Sequence, residues 1–247
     1  MSASPFSRKA NNEASGDFEL PPAGLHPARL VAIVDLGTHK NEYKGEVKAD
    51  KRLIYLAWEL VLTKANTGKP FVVGEGYTDS LGKSSNGQSS NYRKLIEEWR
   101  GCPFQQNEEF DPFVLFGRDC VVNLSLGQTG AGKKFSQVNS VSPPMQGQSV
   151  PESTVTPFFW HFSTWGDPSV NPPIPEWMPR YLGDLVLDVI HESREWAILK
   201  QQHPIMPATN TPTNGSGHTV QTRHEAPAEV AQQMAAQNTA PYKQPAF

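Results

Sequence analysis

Apolar residues along this chain fall into short runs separated by glycine, proline and polar turns. Residues 29–36 (RLVAIVDL) are β-branched and apolar, follow the Pro21-Pro22-Ala23-Gly24 turn and end at Gly37, which predicts a strand. Residues 53–62 (LIYLAWELVL) are long enough for a helix. The turn Thr67-Gly68-Lys69-Pro70 and the β-branched, glycine-containing run 71–77 (FVVGEGY) behind them fit a hairpin better. In that hairpin Ile54, Leu56, Trp58, Leu60 and Leu62 share one face, assigned to the core, and Leu53, Tyr55, Ala57, Glu59 and Val61 share the other. The polar span 38–51 between the first two strands predicts a long loop. Tyr92, Leu95, Ile96 and Trp99 recur at helical spacing after a serine-rich turn in which Ser89, Ser90 or Asn91 can cap, and Gly101 and Pro103 stop that helix. Residues 113–116 predict a short helical turn, and 119–126 (DCVVNLSL) and 134–141 (KFSQVNSV) predict two further strands around a glycine-rich loop.

Three strands, a helix and two strands is the order of an OB-fold, a five-stranded Greek-key barrel whose second and third strands and flanking loops bind oligonucleotides or oligosaccharides. The expected class is therefore mainly β with few helices, an OB-fold-like five-stranded barrel over residues 20–145. The aromatic-dense segment 156–165 predicts an extended arm along it. Residues 174–196, starting at Pro175-Glu176-Trp177 and carrying Leu185, Val186, Val189 and Ile190, predict one or two docking helices, so the arm and helices occupy 146–200. Their apolar faces fit either the barrel or a second subunit. Segments 1–19 and 201–247 are rich in Ser, Thr, Asn, Gln, Pro and Ala and cannot bury enough apolar surface to offset ordering entropy, so both are expected to be disordered, with a transient helix at 226–237.

Composition sharpens this division. Of 22 prolines, 15 follow residue 142; residues 24–142 carry 15 basic and 13 acidic groups, whereas 143–247 carry 5 and 9. The net charge of -3 therefore joins a mildly basic domain to an acidic C-terminal region. No run reaches the roughly 18 apolar residues of a membrane span, and the first residues lack the apolar centre of a signal peptide, so a soluble cytoplasmic protein is expected. Cys102 and Cys120 are too few for a disulfide framework, and the seven histidines show no ligand or triad spacing, so no metal, cofactor or catalytic residue is assigned.

One motif misleads. Gly127-Gln-Thr-Gly-Ala-Gly132-Lys133 has the glycine and lysine spacing of a phosphate-binding P-loop, but Lys134 stands where Mg²⁺ binding needs Ser or Thr, and a strand follows where the amides of a helix are needed. The loop joins two antiparallel strands.

Single-stranded nucleic acid needs cations for phosphates and aromatic faces for bases. The candidates are Lys40, Lys44, Lys48, Lys51 and Arg52 in the first loop, Lys64 and Lys69 in the hairpin turn, Arg93 and Lys94 on the helix, and Lys133 and Lys134 in the last loop. The aromatic candidates are Tyr43, Tyr55, Phe71 and Tyr77. Each also has an ordinary structural role open to it: a solvated lysine, or a Tyr55 that covers the barrel against the C-terminal segment.

The combination of Leu20-Pro21-Pro22-Ala23-Gly24, Trp58-Glu59-Leu60, Gly68-Lys69-Pro70-Phe71, Tyr77-Thr78-Asp79-Ser80-Leu81, Trp99-Arg100-Gly101, Pro175-Glu176-Trp177 and Ser193-Arg194-Glu195-Trp196 resembles a family of phage-encoded OB-fold single-stranded DNA-binding proteins found among replication genes. That resemblance spans about residues 20–200. It implies sequence-tolerant, non-catalytic binding of single-stranded DNA during phage replication or recombination, in the host bacterial cytoplasm, with replication or recombination proteins as further partners. A structural or protein-interaction module with the same barrel and no nucleic-acid binding is the alternative. The interval from Pro175 to Trp196 is longer than the family's closing helix, and the sequence ends in Gln244-Pro245-Ala246-Phe247 without an acidic tip.

Overall fold

The first strand, β1 (Gly24–Tyr43), runs 20 residues and antiparallel to the 18 of β2 (Glu46–Thr63). A computed structural model of the chain describes residues 19–202 apart from 44, 85, 129–131, 133 and 165–170, and no side chain is described at Tyr43. The proposed tails, the helix at 226–237, Lys44 and Lys133 thus lie outside the described residues or at their borders.

β1 is long enough to serve several neighbours because three register shifts, at Leu30/Ala32, Asp35/Gly37 and His39/Asn41, bend it. One edge pairs with β2. The other pairs with β4 (Asp119–Gln128) over residues 24–29 and then, parallel, with the short β6 (Phe158–Trp160) over residues 32–34. β3 (Pro70–Thr78) lies outside β2, and β5 (Lys134–Ser142) outside β4, giving the order β3-β2-β1-β4-β5. The strand order matches expectation, but closure does not. Among the described residues no backbone pairing joins β3 to β5, so the sheet is open rather than a closed barrel. Helix α1 (Asn91–Arg100) packs against both edge strands. Ser90 Oγ caps it by accepting from the Arg93 amide, and Gly101 ends it at a φ of 70°, which glycine adopts without strain. Glu75 of β3 also reaches across the seam. Burial pushes its carboxyl above the ordinary value, against hydrogen bonds from the Val138 and Gly76 amides.

The larger departure lies on the opposite face. One face of the sheet buries Ile54, Leu56, Trp58 and Leu60 against α1, as the hairpin pattern predicts. The other face is buried as well. Ala32, Val34, Leu36, Tyr55 and Ala57 pack under Trp160, Phe162, Met178 and two short helices, α2 (Val186–His191) and α3 (Arg194–Gln202), which bring Val186, Val189, Ile190 and Trp196. β2 therefore sits between two cores, each large buried side chain contributing about 1.5–3 kcal/mol. All described residues belong to one compact unit, and no helix among them is long and apolar enough to cross a membrane.

Candidate nucleic-acid interface

Past Leu53, which pairs with Thr78 of β3, and Arg52, whose carbonyl accepts from the Asp79 amide at 2.8 Å, β2 pairs with β1 alone among the described residues. Thr38–Tyr43 and Glu46–Arg52 thus form a two-stranded ribbon beyond the body of the sheet, with Gly45 in the tip at a φ of 78°. Of residues 38–51, expected to be a loop, 38–43 and 46–51 are strand because backbone pairing with each other satisfies their amides. Neither face of the ribbon is buried, so the hydrophobic alternation that marks a strand is missing there. The register sets His39 beside Lys51 and Asn41 beside Lys48, and Lys40, Lys48 and Lys51 are exposed. Val47 near the tip is 85% exposed.

The root of the ribbon is pinned by carboxylates. Asp35, buried on β1, accepts from Arg52 Nη2 at 2.5 Å and Nε at 3.2 Å, from the Gly37 amide at 3.1 Å and from the Phe162 amide at 3.4 Å. Arg52 is therefore tied to Asp35 at the root of the ribbon, with its side chain 38% exposed. The hydrogen bond to Asp35 holds its guanidinium pKa up. His161 Nε2 lies 3.3 Å from Asp35, and its Nδ1 lies 2.7 Å from Ser163 Oγ and 3.0 Å from the Ser163 amide. An Asp-His-Ser line thus exists, but both Ser163 groups converge on one ring nitrogen as the local cap of the turn Phe162–Thr164. Glu195 of α3 accepts from the Thr38 amide and hydroxyl, both at 2.6 Å.

Glu195 gives the fold a pH dependence. Burial alone would raise its pKa, but the two Thr38 hydrogen bonds outweigh it and hold the carboxyl below its ordinary 4.5. Its contribution is complete above about pH 4.5 and is lost as pH falls through the lowered folded value. Thermal unfolding from pH 7 to 3 should show wild type losing stability relative to Glu195→Gln only at the acid end.

Three of the four aromatic candidates, Tyr55, Phe71 and Tyr77, are buried, and the side chain of Tyr43 lies outside the described ones. Tyr55 is 0% exposed; its hydroxyl donates to the Pro179 carbonyl at 3.1 Å, and its ring meets Tyr181 edge-on at 6.0 Å. Two glycines of β3 make this possible: a Cβ at Gly74 would run into Tyr55, and one at Gly76 into the Tyr181 ring. Phe71 and Tyr77 are buried in the inner core, where Tyr77 packs on Tyr92 with centroids 6.0 Å apart. Burial raises the phenol pKa of Tyr55 and Tyr77 alike. Arg93 is also engaged internally, with Glu97 at 2.8 Å and the carbonyls of Leu81 and Phe104 at 2.8 and 3.2 Å. Alternation placed Tyr55 on the outward face correctly, but outward is not exposed where a second layer lies on the sheet.

The remaining cations fall into two groups. β4 runs antiparallel to β1 with Leu124 opposite Gly24, so the β4–β5 turn and Lys134 lie at the start of β1, and Lys69 lies in the β2–β3 turn at the same end of β2. The ribbon tip is at the far end of β1. Lys69, Lys94 and Lys134 are exposed. Sequence reasoning missed Phe135, which stands beside Lys134 and is 41% exposed. The signal was its pairing with Gly127 across the hairpin. Of the segment with P-loop spacing, Gly127 and Gln128 end β4 and Lys134 begins β5, so a strand and not a helix follows Lys133. No cluster of metal-ligating side chains occurs among the described residues.

The chain matches no protein-family model and no curated protein sequence.

Proposed function

We propose that this protein binds single-stranded DNA without sequence preference and without catalysis, using the β1–β2 ribbon as its phosphate-contacting arm. The observation that carries this is the ribbon itself. An isolated two-stranded hairpin is marginal in water, yet this one extends past the sheet with exposed Lys40, Lys48 and Lys51 and without an apolar face of its own. The ribbon also carries exposed Glu42, Glu46 and Asp50, so phosphates would be met by the lysines individually rather than by a net positive field. The order β3-β2-β1-β4-β5, with α1 between β3 and β4, is that of an open OB-like barrel, in which the first hairpin flanks the ligand. Supporting phage DNA replication or recombination is the setting that the sequence resemblance suggests.

The covered face favours a second role. Tyr55 and its neighbours are sealed by the chain's own C-terminal layer, as a protein-interaction module would have them, and phosphate contacts on the ribbon must then supply most of the affinity.

Titration of the full chain into a fluorescently labelled oligothymidylate at low and high salt tests the proposal. The expected result is binding that weakens with salt, with log K falling by about 0.7 per phosphate neutralised for each unit of log salt. Lack of binding at low salt removes the proposal and leaves the interaction module.

A further inference from the structure

The C-terminal layer covers the outer face of β1, β2 and β3, and Val121 on the same face of β4 is buried too; the half-buried part of that face runs from Asn123 to Gly127. Val122 and Leu124 point into the inner core, so Asn123, Ser125 and Gly127 point outward, and the register places Gln137 and Phe135 beside Ser125 and Gly127. Ser125 Oγ donates to Asn139 Oδ1 at 3.0 Å, and Leu25 of β1, opposite Asn123, is exposed. Gly127 is the hinge of the arrangement. A Cβ there would collide with the far end of the Phe135 ring, so the ring lies over bare backbone while the residue stays 41% exposed. From Cys120 to Gln128 and from Phe135 to Ser142 there is no charged residue.

We infer that the outer face of β4 and β5, centred on Phe135, is a base-stacking surface for single-stranded nucleic acid. This rests on the proposed nucleic-acid binding and adds the place where bases go. A nucleobase presents a π-face and neutral donors and acceptors on its edge. Phe135 supplies a flat aromatic partner, while Asn123, Gln137 and Asn139 supply amides that donate and accept without a charge to desolvate. Lys134 is exposed at the start of β5, on the opposite strand face from its neighbour Phe135, at the edge past which the phosphate attached to a stacked base would run. Acidic side chains, which would repel that phosphate, are absent from both strands apart from Asp119 at the far end of β4.

The test uses the full chain with an oligothymidylate long enough to span several sites. Phe135→Ala is expected to weaken binding about 5- to 150-fold, the worth of one stacked base, while leaving the dependence of log K on log salt unchanged. Because the ring also covers Gly127, a second variant guards against a purely structural loss. Phe135→Trp should bind as wild type does and show extra tryptophan quenching on adding DNA, which a structural role would not produce. Wild-type binding left unaltered by Phe135→Ala, with no added quenching in Phe135→Trp, overturns this inference and leaves the ribbon proposal standing. Wild type that binds no DNA at low salt removes both, and binding of a neutral oligosaccharide in its place would assign the face to sugar.

Discussion

Replacing Trp196 with alanine is expected to lower the stability of the whole domain by about 3–5 kcal/mol, the usual cost of emptying a buried indole site. Trp196 is 1% exposed in α3, and its Nε1 has no hydrogen-bond partner among the described residues, so its stabilisation comes from packing. The His191 ring stacks on it at 4.7 Å, and Ser193 Oγ accepts from its amide at 3.2 Å while donating to the Ile190 carbonyl at 2.7 Å. The junction carrying Ser193 is itself set into the sheet: Gly37, in the bulge of β1 at a φ of 80°, would drive a Cβ into Ser193 and Phe162. A dispensable C-terminal appendage would lose little from such a change. Urea unfolding followed by circular dichroism measures the difference. A single transition at a lower midpoint with an unchanged slope is expected, because the two cores share β2. A loss under about 1 kcal/mol would show that α3 is not part of the cooperative unit.

Asp35→Ala is expected to cost about 3 kcal/mol and to loosen the ribbon. The substitution leaves the Gly37 and Phe162 amides without their acceptor and removes the partner of Arg52. Breaking a fully buried ion pair costs about 3–5 kcal/mol. The Arg52 side chain is 38% exposed and recovers part of this by hydration, which places the figure toward the lower end. Amide hydrogen exchange should show faster exchange in β1 and β2 beyond residue 38 than in wild type, along with the lower unfolding midpoint. Unchanged exchange there would mean that the ribbon is held by its own pairing and by Glu195 and Arg194 of α3, the latter 3.7 Å from Asp50.

The inner half of the fold is legible in the sequence because its signals are local. Alternation in β2, β4 and β5, the spacing of Tyr92, Leu95, Ile96 and Trp99, the cap at Ser90 and the stop at Gly101 each lie within a few residues. The outer half is not, because it depends on partners more than 100 residues away. The sequence leaves open whether Tyr55 meets a base or is covered by the C-terminal segment, and nothing near it decides for Pro179 and Tyr181. The two glycines of β3 held part of that information: on an outward strand face they leave room for rings. The ribbon was missed for the opposite reason, since strands with neither face buried need no alternation. The lysines there were legible as chemistry but not as geometry, and the stacking residues chosen with them, Tyr55, Phe71 and Tyr77, serve the cores. Phe135 could have been found by asking which aromatic faces a glycine across a predicted hairpin.

The most direct test of the account is the affinity of the full chain for oligothymidylate when Lys40, Lys48 and Lys51 are replaced together by alanine. The slope of log K against log salt is expected to shrink in magnitude by about 2, corresponding to three phosphate contacts, with the unfolding midpoint close to wild type because these side chains are exposed. A variant that binds with the wild-type affinity and the wild-type slope would contradict the ribbon as the phosphate-contacting arm.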